Sequence, residues 1–171
     1  MHDESASAST PAPAHRPSIV GGLLPFIGVI LFLIMTVVQF AGGAGEGWGP
    51  ALVLNAVVYM IGIAGIGAGI AHLFFGRRIS RTIGFATNPY ELEVGFADLA
   101  IGVAAVLAGG FSPDYWFAVI LVSAIFRVGC GIGHIRSMVR DRNFAVNNTA
   151  ILFIDFVVPI FVVIAFALWA R

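Results

Sequence analysis

Five stretches of this chain are each long and apolar enough to cross a bilayer, and no other feature limits its possible folds so tightly. They cover about 19–40, 51–75, 89–109, 115–138 and 148–169, and each reads as a helix. With 59% hydrophobic and 11% charged residues and a mean hydropathy of +0.97, the composition excludes an ordinary water-soluble domain. The chain therefore reads as an all-α integral membrane protein, its partner being the lipid bilayer. Zero net charge gives no argument for a nucleic-acid partner. The single cysteine, Cys130, excludes both an internal disulfide and a cysteine metal cage, and reads as an inert core residue.

Ahead of the first stretch, residues 1–18 are rich in Ser, Ala and Pro and read as a disordered tail. The first stretch exceeds the roughly 7–15-residue apolar core of a signal peptide, so it is read as a retained span. Orientation follows from arginine, the only basic residue type present. Arg16 in the tail, Arg77, Arg78 and Arg81 after span two, and Arg136, Arg140 and Arg142 after span four share one side; the other side has Arg171 alone. The positive-inside rule places the N-terminus in the cytoplasm and the C-terminus outside, in the inner (plasma) membrane. Trp48, Trp116 and Trp169 fall at the outer ends of their spans, where an aromatic belt belongs.

Two segments share an order of parts. Gly67 to His72 and Gly129 to His134 both read G-x-G-I-x-H. Arginines follow each copy, then Phe85-Ala86-Thr87-Asn88 or Phe144-Ala145-Val146-Asn147, then a lone aspartate in an apolar run, Asp98 or Asp155. This predicts two parallel helical hairpins, spans two with three and four with five, with any shared site between them. Gly65 with Gly69, and Gly129 with Gly133, are spaced for close helix packing. Asn88-Pro89-Tyr90-Glu91 carries the signals of a capped helix start, and Asn147 or Asn148 is the expected cap of span five.

Ionisable groups in hydrocarbon cost at least about 2–3 kcal/mol each, so each needs an explanation. Counting about 1.5 Å per residue from the helix starts puts Asp98, Arg127 and Asp155 near one depth in the cytoplasmic half. Arg127 can lie between the two aspartates, and the repeat offset sets Gly65 opposite it. The three form either a docking ion pair or a polar binding cluster. Pro159 removes the partner of the Asp155 carbonyl and is expected to kink span five there. His72 and His134 lie about a turn inside the cytoplasmic boundary and read as ligand or proton residues, or as interfacial histidines bonded to carboxylates such as Glu91 and Glu93.

The stretch Ile83-Gly84-Phe85…Glu93-Val94-Gly95-Phe96-Ala97-Asp98-Leu99-Ala100-Ile101-Gly102 resembles an uncharacterised family of small bacterial multi-pass membrane proteins. Gly133-His134-Ile135, Asn143-Phe144-Ala145 and Asn147-Asn148 are similar to that family's second half. The resemblance implies the architecture and brings no activity with it. No catalytic set is present in the sequence. The leading expectation is a non-enzymatic protein that binds or transports a small solute, proton or ion at the polar cluster, with no cofactor. One alternative is an accessory or self-assembling subunit, a homo-oligomer or part of a larger membrane complex. The other is a haem- or metal-binding redox protein using the two histidines.

Overall fold

The computed structural model describes residues 23–43 and 47–170, so the tail with Arg16, and also Glu46 and Arg171, lie outside it. Five helices are long and apolar enough to cross a membrane: α1 Leu24–Ala41, α2 Trp48–Ile83, α3 Tyr90–Gly110, α4 Pro113–Arg140 and α5 Val146–Trp169. The described residues contain no strand. Large apolar side chains such as Val37, Phe74, Ile125 and Leu168 face outward, as lipid contact requires and water would penalise.

Helix α2 outruns its expected end. A basic loop is expected over 76–87, yet the helix bends at Phe75 (φ −128°, ψ 20°) and continues to Ile83. Arginine is a good helix former. Its spacing leaves Arg77, Arg78 and Arg81 exposed while Ser80 is buried and Ile79 and Ile83 are half-buried. Gly84, at φ 73°, ends the helix by bringing the Phe85 amide to the Ser80 carbonyl at 2.8 Å and the Gly84 amide to the Arg81 carbonyl at 3.3 Å.

Helix α3 starts as its sequence signals. The Asn88 side chain accepts from the Tyr90 amide at 2.9 Å, and Glu91 Oε1 accepts from the Asn88 amide at 3.3 Å. Helix α5 starts differently. Asn147 and Asn148 lie inside its first turn and neither caps it, because the Asn148 side chain is fully buried and turned inward.

Glycine sets how closely α2 and α3 approach. A Cβ at Gly69 would lie 2.8 Å from the Leu99 nitrogen, and one at Gly65 would lie 3.0 Å from the Asp98 carbonyl oxygen and from Gly102 Cα. Gly65 is therefore spent on this contact with α3. Gly62, Gly95 and Gly102 extend the same seam. In the second hairpin the expected pair does not pack: Cβ atoms at Gly129 and Gly133 would meet nothing within 4 Å. Gly131 between them takes that role, where a Cβ would lie 3.1 Å from Asp155 Cβ and 2.5 Å from the Phe156 ring. Gly131 follows the turn of α4 that faces α5, whereas Gly129 and Gly133 are exposed.

A dry core of Val53, Ala56, Val57, Ala105, Ile120 and Val162 fills the end of the bundle that carries the tryptophans. There the Trp48 and Trp169 rings lie 5.3 Å apart, and Trp116 Nε1 donates to the Ala108 carbonyl at 2.8 Å. Asn55 ties α2 to Gln39 of α1 at 2.6 Å. A π-helical stretch at Ala56–Ile63 runs through this core, and the local sequence gives no cause for it.

The two glycine environments predict opposite signs. Gly102→Ala, whose Cβ would lie 2.5 Å from the Ile66 nitrogen, is expected to destabilise by about 1–3 kcal/mol through forced separation of α2 and α3. Gly129→Ala is expected to be neutral or to stabilise by up to about 1 kcal/mol through helix propensity. Denaturation of the purified variants in detergent measures both.

Candidate functional site

The polar residues collect at the end opposite the tryptophans. Asp98 comes from the middle of α3, Arg127 and His134 from the inner face of α4, His72 from α2, and Asp155 from a π-helical turn of α5 at Phe153–Val157. Pro159 explains that turn. Its ring nitrogen cannot bond the Asp155 carbonyl four residues back, so the helix widens just before it. Pro159 itself is buried.

Arg127 Nη2 bonds Asp98 Oδ1 at 2.6 Å, and Nη1 lies 3.9 Å from Asp155 Oδ1. The three charges do share one layer, but unequally. Asp98 holds a charge-assisted hydrogen bond, while neither oxygen of Asp155 has a hydrogen-bond partner although the residue is 1% exposed.

His134 is fixed by a chain of amides. Asn148 Nδ2 donates to the Asn143 carbonyl at 2.9 Å, which turns Asn148 Oδ1 towards His134 Nδ1 at 2.7 Å. An amide oxygen only accepts, so Nδ1 carries the proton and donates. In the neutral ring Nε2 then presents its lone pair, 3.8 Å from Asp155 Oδ2. Asn143 also donates to the Ile83 carbonyl at 2.8 Å, tying the segment after α4 to the end of α2. His72 is half-buried and its Nδ1 has no partner. Glu93 is exposed and takes no part; Glu91, two residues earlier and on the inward side, accepts from Ser80 Oγ instead.

His72, Glu91, Asp98, Arg127, His134 and Asp155 line a cavity of about 400 Å³, within the range of small-molecule sites. Its walls come from all five helices and include Ile27, Ala68, Val94, Cys130 and Ile151. It extends past Ser80, Ile83 and Asn88 to the arginine-rich end of the bundle. Gly67 and Gly133 also line it. Among the described residues no three His, Cys, Asp or Glu side chains converge as metal ligands.

The family model for DUF6790, a family of unknown function, matches residues 22–171. The chain belongs to this family. The match takes in all five helices and every cavity residue named above. No curated protein and no solved structure matches the chain. The expectation of an uncharacterised family, drawn from Ile83 to Gly102 and Gly133 to Asn148, is thus met, and function has to be argued from the site.

Asn143, Asn148 and Ser80 are the parts that sequence reasoning did not assign to the cluster. The available signal was an amide pair, Asn147-Asn148, directly ahead of an apolar run that already carried Asp155.

The geometry makes the two aspartates energetically different. Arg127→Leu strands two buried carboxylates and is expected to cost about 3–5 kcal/mol. A double-mutant cycle should give a coupling of about 1–3 kcal/mol between Arg127 and Asp98, and a smaller one between Arg127 and Asp155. Asp155→Asn is expected to leave the melting temperature unchanged or raise it, because it removes a buried charge that has no donor. Thermal unfolding of the single and double variants checks all three.

Proposed function

We propose that the protein is a multi-pass inner-membrane protein of small-solute-binding, transport type, its solute held in the cavity between α2–α3 and α4–α5. The observation that carries this reading is Asp155. A carboxylate lining a cavity with no donor on either oxygen has the form of a ligand site, whereas a packing ion pair has its oxygens satisfied. A functional site that costs stability is the usual place to find such an exception.

The N-terminus is cytoplasmic in this reading and the cavity opens towards the cytoplasm, in keeping with Arg77, Arg78, Arg81, Arg136, Arg140 and Arg142 at the same end of the bundle. Two matched hairpins frame the site. Support for their common origin is that Gly69 and Gly131, equivalent in the repeated motif, both pack against the partner helix of their own hairpin, while Gly67 and Gly129 both meet nothing within 4 Å.

Cys130, the chain's only cysteine and a cavity residue, reports on both points. The membrane-impermeant reagent 2-(trimethylammonium)ethyl methanethiosulfonate is expected to modify Cys130 in inverted inner-membrane vesicles and not in intact spheroplasts. Modification in neither, with full modification after denaturation, would mean a dry cavity and contradict solute binding. Modification only from outside would reverse the orientation.

A further inference from the structure

We infer that the solute is a small organic monocation bearing N–H donors, a primary or secondary ammonium, seated between Asp155 and His134. The inference rests on the cavity being a solute site and adds its chemical class.

Charge is the first argument. Three carboxylates line the cavity, those of Glu91, Asp98 and Asp155, against the single guanidinium of Arg127. Asp98 Oδ1 is occupied by Arg127 and Glu91 Oε1 by Ser80 Oγ and the Asn88 amide, whereas both oxygens of Asp155 are buried without a donor. The arginines at this end of the bundle, Arg77, Arg78, Arg81, Arg136, Arg140 and Arg142, are all exposed, where water and salt screen them, and none lines the cavity.

Hydrogen-bond polarity is the second. The amide chain from Asn143 through Asn148 keeps a proton on His134 Nδ1, so with the ring neutral and the carboxyl ionised Nε2 and Asp155 Oδ2 face each other as two acceptors 3.8 Å apart; a second proton on Nε2 would turn the same contact into an ion pair. Two acceptors at that separation cannot satisfy one another. A single nitrogen bearing two hydrogens, about 2.8–2.9 Å from each, bridges them and supplies the missing charge. A quaternary ammonium has no hydrogens to give, and an anion would add to the surplus of carboxylate. A multivalent metal ion would need more oxygen or nitrogen ligands than converge here. The walls of Ile27, Ala68, Val94 and Ile151 suit a short apolar body behind the ammonium head.

The test uses the full-length protein in mild detergent and the rate of Cys130 modification by three methanethiosulfonates: aminoethyl (cationic), methyl (neutral) and sulfonatoethyl (anionic). Rates are taken relative to a free thiol, and comparison with the neutral reagent cancels any change in the thiol itself. The expected result is a cationic reagent about tenfold or more faster than the anionic one, as field focusing in a charged cleft produces. Asp155→Asn should shrink that ratio. n-Butylammonium should slow the neutral reagent, while butyrate and butanol leave it unchanged. If the neutral reagent reacts but the anionic one keeps pace with the cationic one, or butyrate protects as well as butylammonium, the cation inference is overturned and the cavity stands. If none of the three reacts until the protein is denatured, the cavity reading itself falls, and this inference with it.

Discussion

One guanidinium has to answer for two buried carboxylates, and the arrangement of the functional end follows from that shortage. Arg127 commits to Asp98 at 2.6 Å and reaches Asp155 only at 3.9 Å. In a low-dielectric interior the difference between a hydrogen-bonded and an unbonded charge is worth kilocalories, so the two aspartates cannot have the same role. Asp98 with Arg127 is a structural tie between α3 and α4. Asp155 is left over, and the turn that carries it is widened by a proline that the helix would otherwise have no reason to accept.

Around this layer the bundle divides by chemistry. Towards the tryptophans small and branched apolar side chains form the buried core. Towards the arginines glycine faces at Gly67 and Gly133 stay open, and the cavity is lined by histidines, amides and carboxylates. The amide latch from Asn143 to Ile83 ties the segment after α4 to the end of α2.

Much of this was legible in the sequence because hydropathy and charge act over whole segments. Five spans, the shared layer of Asp98, Arg127 and Asp155, and the helix start at Asn88 each rest on a local, well-understood preference. Failures came where tertiary contacts overrode such preferences. Gly76 to Ile83 looked like a loop because it is basic, but its apolar positions pack inward at helical spacing. The small-residue spacing of Gly129 and Gly133 matched a packing motif, yet the helix face that meets α5 is the one with Gly131. Glu93 and Glu91 are two residues apart and so point to different sides of α3, and spacing alone did not choose between them. The fate of Asn148 depended on a buried imidazole fourteen residues earlier, which no local signal reveals.

The central claim is that the charged layer is the floor of a hydrated site and not dry packing. Hydroxyl-radical footprinting of the full-length protein in lipid nanodiscs, read by mass spectrometry, tests it most directly, because radicals label side chains where water is held. The account predicts labelling at Cys130, His134 and His72 together with protection at Val57, Ile120 and Val162. Equal protection of both groups in the folded protein would contradict it, and the three charges would then be a buried tie between helices and nothing more.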